Sequence, residues 1–301
     1  MPKIERLEQN TPEWLRWRME GIGSSDAPVI MGEAAFKTRR LLWAIKTGRA
    51  REFAGNPASR RGHALEHAAR SAYERESGVQ MEPLCLIHEK LEWMRASLDG
   101  ISFDGSTVLE IKCPLSVRDQ NAAQQGRVPS HYYGQLQHQL EVSGAQEAHY
   151  WSFDGRVGRL VRIRPDRDYM KRLVDEEGDF WRRVKENRWP ELDDKEIDMS
   201  SDPRWRSLAL QYRQARARLD AATAQERKLR SILDRMATGK RTFGCGVEVL
   251  KSFRRGAVDY AVVPQLSGVD LEKFRKARVA VTKINVIEAS REVSTSVREP
   301  F

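Results

Sequence analysis

The spacing of apolar residues switches between a helical period near four and a strand period of two, and each switch marks an element. Residues 12–20, "PEWLRWRME", predict a short helix with Pro12 in its first turn, where proline is tolerated. "GIGSSD" interrupts it. Gly21 and Gly23 loosen the backbone, and Ser24, Ser25 or Asp26 is placed to cap the next helix, "APVIMG". "RRLLWAIKTG" predicts a helix stopped at Gly48, and 51–59, "REFAGNPAS", a loop. The Ala-rich "RRGHALEHAARSAYERESG" predicts a long helix ending at Gly78. Three strand-like stretches follow, "PLCLIHE", "LEWMRASLDG" and "STVLEIKCP". "PSHYYGQLQHQLEVSG" returns to the helical period, "AHYWSFDG" and "GRLVRIRPD" predict a hairpin, and a helix over about 167–187 closes the region. Such an order predicts a mixed α/β (α+β) core, a sheet flanked by helices.

The acidic, polar "PELDDKEIDMSSDP" marks a boundary, giving a first domain over 1–195 and an extension over 196–301. In the extension, Leu208, Tyr212, Ala215, Leu219, Ala222, Leu229, Leu233 and Met236 follow steps of four and three, missing one position at Glu226. This is a heptad-like seam on a helix of about thirty residues. From Asp202 to Arg241 there are eleven Lys or Arg against four Asp or Glu. Two readings stand for this basic helix: its seam packs on itself or on another subunit with the arginines in water, or it contacts DNA or a single-strand annealing partner. Beyond it the pattern predicts a small hairpin, a short helix near "DLEKFRKA" and a last strand, "VAVTKINVIE".

Composition narrows the class. Hydrophobic residues make up 40% and charged residues 32% of the 301, as in a soluble globular protein. No run approaches the ~18–20 apolar residues of a membrane span, and "MPKIERLEQNTPEW" lacks an apolar signal core, so the expectation is a cytoplasmic protein without a membrane partner. Cys85, Cys113 and Cys245 stand far apart with no C-x-x-C pair, which argues against a disulfide framework or a structural zinc site. The net charge of +9 is compatible with a polyanion partner and identifies none.

The chemistry-bearing stretch is "SLDGISFDGSTVLEIKCP". On a strand, Leu109, Ile111 and Cys113 share one face and Glu110 and Lys112 the other. An isolated Glu-x-Lys reads as the solvated face of an antiparallel strand. Asp99 shifts that reading, because a hairpin from "ASLDGI" to "VLEIKC" brings it beside Glu110. Two such carboxylates suit a divalent cation, and oxygen ligands are what Mg²⁺ or Mn²⁺ prefers. Glu66 shares a helical stripe with Ala69 and Tyr73, pointing inward as a further ligand or else pairing with Arg70 at i+4. Arg18 and Ser25 flank the glycine turn beside a helix start, as an anion site or as an ordinary cap with a surface arginine.

"WLRWRMEGIGSSDA", "RGHALEHAARSAYERESGV", "ASLDGI", "LEIKCP" and "YYGQLQHQL", in this order over about 14–165, resemble the YqaJ-type viral recombinase family and, through it, the lambda-exonuclease-like branch of the PD-(D/E)XK nucleases. The resemblance implies a twisted mixed sheet flanked by helices. It implies Mg²⁺-dependent digestion of double-stranded DNA from the 5′ end, leaving 3′ single strands for phage-type recombination. By this likeness Asp99 and Glu110 bind metal with the Ile111 carbonyl, Glu66 supports them, and Lys112 is the catalytic lysine. Arg18, Ser25 and Arg118 hold the 5′-phosphate, with Ser97 a weaker candidate, and Gln135 and Gln137 match a "Q-x-Q" helix facing the site. Leu98 stands where the motif has proline, which is not a ligand. The likeness stops near residue 200. It further implies ring trimers, DNA ends as substrate, and a phage or prophage origin in a bacterial host. The rivals are an endonuclease of the same superfamily and a non-catalytic DNA-binding protein.

Overall fold

The computed structural model describes residues 1–34, 37–50, 57–192, 196–237, 241–244 and 247–250. Among these, one compact unit runs from Met1 to Glu191 and a second begins at Leu192. The first unit comprises β1 (Lys3–Glu5), α1 (Pro12–Met19), β2 (Ile22–Gly23), a 3₁₀ turn (Ser24–Asp26), α2 (Ala27–Ile30), α3 (Arg39–Lys46) and α4 (Pro57–Ser77). These are followed by β3 (Met81–Ile87), β4 (Met94–Ser102), β5 (Thr107–Lys112), α5 (Val117–Gln124), α6 (Ser130–Ser143), β6 (Glu147–Phe153), β7 (Gly158–Ile163) and α7 (Arg167–Lys185).

The strands form one mixed sheet in the order β1-β3-β4-β5-β6-β7, with β2 paired to β4. The β2–β4 and β5–β6 pairs are parallel and the rest antiparallel. Alternation along β4 sends Met94, Ala96 and Leu98 into one core layer with Leu136 and Leu140 of α6. Alternation along β5 sends Leu109 and Ile111 into another layer, with Ala69 and Tyr73 of α4 and Trp151 of β6. The sheet is thus covered by different helices on its two sides, the mixed α/β architecture expected from the sequence.

Several elements depart from the sequence reading. The long helix begins at Pro57 within the expected loop, since proline suits a first helical turn; residues 51–56 lie outside the described residues. α5 was not foreseen, because "VRDQNAAQ" carries little apolar periodicity. Asp26 does not cap α2 with its side chain. It turns back instead to accept from the Gly23 amide at 3.0 Å.

β4 runs past Asp99 and Gly100, where the strand-like stretch of the sequence ends, to Ser102. The β3–β4 register shows why the alternation breaks at Asp99 and Gly100. Glu82 pairs with Ile101 and Leu84 with Leu98, so Pro83 alone stands opposite both Asp99 and Gly100. Proline has no N–H to donate to a ladder, and a one-residue bulge is where a sheet accommodates it. Gly100 is required in the bulge, since a Cβ there would stand 2.6 Å from that of Met81.

In the second unit, α8 (Pro203–Met236) carries the seam, and β8 (Arg241–Gly244) pairs with β9 (Val247–Leu250). No residue of α8 is buried, and Leu208, Leu219, Leu229 and Met236 stay exposed. The described residues therefore leave the seam uncovered. The expected helix near "DLEKFRKA" and the last strand lie outside the described residues. No helix among the described residues is long and apolar enough to cross a membrane.

Within the first unit, His138 of α6 and Glu177 of α7 form a fully buried pair, with Nδ1 2.8 Å from the carboxylate. The other ring nitrogen meets the Arg95 carbonyl at 3.0 Å. The Arg95 carbonyl can only accept, so His138 donates from Nε2, and Nδ1 and the Glu177 carboxyl share one proton. Burial pushes the His138 pKa down, but Glu177 and the carbonyl outweigh burial and raise it above the ordinary 6.5. A raised folded-state pKa gives stability that is present below the unfolded value and lost as pH rises through the folded one. Burial likewise raises the pKa of Glu177, which has the same sign. The stability gap between the native chain and Glu177→Gln, measured by thermal unfolding, is expected to be widest below about pH 6.5 and to narrow as pH rises into the alkaline range.

Candidate active site

β4 and β5 are paired at Gly100–Leu109 and Ile101–Val108, and that ladder stops just before Asp99 and Glu110. Beyond the break the Ile111 amide donates to Asp99 Oδ2 at 2.7 Å, so a side chain takes the place of a ladder carbonyl. The N–H and C=O of one strand residue point to the same side. The Ile111 carbonyl therefore opens on the gap that Asp99 occupies.

Glu110 is not a solvated strand residue: its side chain is 3% exposed. Lys112 Nζ donates to its Oε1, and two glutamines of α6 hold both oxygens. Gln135 Nε2 donates to Oε1 at 2.7 Å and Gln139 Nε2 to Oε2 at 2.5 Å. Lys112 also lies over the Tyr132 ring, 4.9 Å from its centroid. Burial pushes the Asp99 pKa up, and Glu110 adds to the rise. For Lys112 burial acts downward, but the carboxylates of Glu110 and Asp99 win and raise its pKa, keeping the ammonium charged.

Glu66 takes the i+4 partner that its spacing offered: Arg70 Nη2 donates to it at 2.9 Å. Arg70 Nε in turn donates to the Asp99 carbonyl at 2.9 Å. Glu66 is thereby joined to the site through Arg70, and its charge also acts on Asp99. Among the described residues no group of three or more His, Cys, Asp or Glu side chains is preassembled to hold a metal ion. Asp99, Glu110 and the Ile111 carbonyl nevertheless form a set of oxygen donors at one break in the sheet, which is the donor chemistry of a hard divalent cation.

A second cluster lies between α1 and the 3₁₀ turn that follows it. Arg18 Nη2 donates to Ser25 Oγ at 2.9 Å, and the guanidinium lies over the Trp14 ring, 4.7 Å from its centroid. Trp14 Nε1 donates to Ser97 Oγ at 3.1 Å. Arg18, Ser25 and Ser97 are thus brought together, with Trp14 as the link that sequence reasoning missed. Arg118 lies exposed at the start of α5 and, among the described residues, forms no hydrogen bond or ion pair with this cluster.

The structure does not bring Gln137 to the site. Its Nε2 donates to the Arg164 carbonyl at 3.1 Å and its Oε1 accepts from the Asp166 amide at 2.9 Å, bracing the start of α7. Residues two apart on a helix face different ways, whereas Gln135 and Gln139, four apart, share a face. That spacing was the available signal for Gln139.

Residues 13–146 match the YqaJ-like viral recombinase domain family. The Bacillus subtilis protein YqaJ is 31% identical over 142 residues, 46% of this chain and 44% of the relative. Protein R354 of Acanthamoeba polyphaga mimivirus is 29% identical over 161 residues, 49% of this chain and 29% of the relative. The chain thus spans less than half the length of these relatives. Among solved structures it is similar to LHK-Exo, an alkaline exonuclease from Laribacter hongkongensis, solved also in complex with dAMP. The likeness has a TM-score of 0.53 at 26% identity and covers 59% of this chain and 94% of that one. The first unit is accordingly similar in fold to an alkaline exonuclease.

Replacing Gln139 with Leu removes the donor on Glu110 Oε2 and leaves a buried carboxylate oxygen unsatisfied. Urea unfolding is expected to show a loss of about 1–3 kcal/mol.

Proposed function

We propose that this chain is a metal-dependent exonuclease that digests linear double-stranded DNA from the 5′ end, leaving 3′ single strands for recombination. One placement supports the reading best. Ser97 and Asp99 stand two apart on β4, about 7 Å apart along the strand, with Asp99 turned at the bulge toward β5. Ser97 belongs to the Arg18–Ser25 cluster and Asp99 to the Glu110–Lys112 cluster. A terminal phosphate held at the first would lay the adjoining phosphodiester at the second.

In this reading Arg18, Ser25 and Ser97 donate to the 5′-phosphate, a charge-assisted arrangement that also sets register. Asp99, Glu110 and the Ile111 carbonyl would hold Mg²⁺, or Mn²⁺ in its place, with Glu66 standing behind them through Arg70. When bound, the metal supplies Lewis-acid polarisation of the phosphodiester and a lowered pKa for water. Lys112 offsets the negative charge that builds on phosphorus oxygens. Gln135 and Gln139 fix the carboxylate plane of Glu110, and the exposed Arg118 is available to the DNA backbone. Assembly as a trimer, transfer of the 3′ strand to an annealing protein and action in a bacterial cytoplasm belong to the same reading and rest on family likeness.

The test is digestion of end-labelled linear duplex with Mg²⁺. Lys112→Ala is expected to lower the rate by about 10²-fold or more, with DNA binding in EDTA retained. Digestion by this variant at the native rate would falsify the assignment. A covalently closed plasmid is expected to survive, and its cleavage would make the chain an endonuclease instead.

A further inference from the structure

Beneath the Arg18–Ser25 turn lies a buried ion pair that the mechanism above does not use. Lys46, at the last position of α3, meets Asp26 Oδ2 at 2.7 Å, and the two side chains are 4% and 3% exposed. The same ammonium donates to the carbonyl of Arg18 at 2.8 Å and to that of Gly21 at 2.7 Å. Asp26 Oδ2 also accepts from the Gly23 amide. All three ammonium hydrogens thus have partners, two of them main-chain atoms of the segment that carries Arg18. A Cβ on Gly21 would stand 2.5 Å from the Trp93 carbonyl, so this segment is pressed against the strand side with no slack.

A buried pair of this kind costs desolvation and stabilises weakly, and replacing it with apolar residues is often neutral. Its effect is better sought in geometry. One atom, Lys46 Nζ, fixes the main chain at Arg18 and Gly21, and its carboxylate partner fixes Gly23, two residues before Ser25. We infer that Lys46, acting with Asp26, is a positioning residue that sets Arg18 and Ser25 at the spacing needed for a terminal phosphate. Lys46 touches no substrate; it acts through the main chain of the turn. The inference deepens the reading of this cluster as a 5′-phosphate site and rests on it.

The measurement is binding of a blunt linear duplex, with either 5′-phosphate or 5′-hydroxyl ends, to the full chain in EDTA, so that nothing is cut. The native chain is expected to prefer the phosphorylated duplex. In Lys46→Met the ratio of the two affinities is expected to fall roughly tenfold, the scale of one hydrogen bond to a charged group. Because a lone buried Asp26 can unfold the protein, the double variant Asp26→Asn/Lys46→Met, which leaves no buried charge, is measured beside it and is expected to show the same fall. If the folded variants keep the native ratio, or lose both affinities equally, the positioning role is overturned and the phosphate site stands. If the native chain itself shows no preference, the phosphate site is overturned and this inference with it. Digestion of the duplex with Mg²⁺ then still tests the nuclease reading separately.

Discussion

The candidate site depends on an interruption of hydrogen bonding in the middle of the sheet. Pro83 of β3 faces two residues of β4, Asp99 and Gly100, and has no amide to offer either. In an unbroken ladder, Asp99 would follow the register of Gly100 and Ile101, and the Ile111 amide would find a main-chain acceptor. With the ladder stopped at Leu109, that amide takes the Asp99 carboxylate instead. A bulge re-aims a side chain, and here it aims one into the gap between two strands. Groups from both sides of the sheet then converge there. Arg70 comes from α4 to the Asp99 carbonyl, and Gln135 and Gln139 come from α6 to the Glu110 carboxylate.

The first unit keeps its buried charges in pairs. Glu110 has Lys112, Asp26 has Lys46, and Glu177 has His138. Two of the pairs join parts distant in sequence, α3 to the turn after α1 and α7 to α6, while the third lies within β5 and is tied to α6 by Gln135 and Gln139. An apolar contact tolerates sliding, whereas a donor and an acceptor at hydrogen-bond distance do not. These pairs therefore fix relative position more than they add stability, consistent with the high desolvation cost of each charge. The Lys46–Asp26 pair holds Asp26 ionised. Burial favours the neutral acid, but Lys46 and Arg18 prevail and lower its pKa to about 2.

Much of the frame was legible in the sequence because period and punctuation agreed. α1, α3, α6 and the β6–β7 hairpin carry strong apolar patterns bounded by Pro or Gly, and each formed where its pattern lay. α5 was not legible, since a short polar helix has no period to read. At the site, Asp99, Glu110 and Lys112 could be grouped because a strand fixes which residues share a face. The role of Pro83 could not, because a bulge depends on which residue of another strand lies opposite. Gln139 was within reach of the helical period, and a two-residue spacing drew attention to Gln137 instead. Lys46 offered no signal: a lysine in the last turn of a helix is ordinary, and its partners lie 20 to 28 residues earlier.

β4 is the element on which these arguments meet. Its core-facing residues, Met94, Ala96 and Leu98, anchor it against α6. Ser97 alternates with them and faces away, and Asp99 is turned by the bulge into the gap beside β5. The first joins the aromatic and cationic cluster of α1; the second lies at the sheet break with Glu110 and Lys112. The strand is tied on both flanks, since β2 pairs with it beside Met94 and Arg95 and β3 pairs along its length. The same β2 carries Gly23, whose amide Asp26 holds. A displacement of the turn that bears Arg18 would therefore have to move β2 along β4, breaking paired main-chain hydrogen bonds. The spacing between the two clusters is set by a strand and its ladders, which are stiff, and not by the loops that display the side chains.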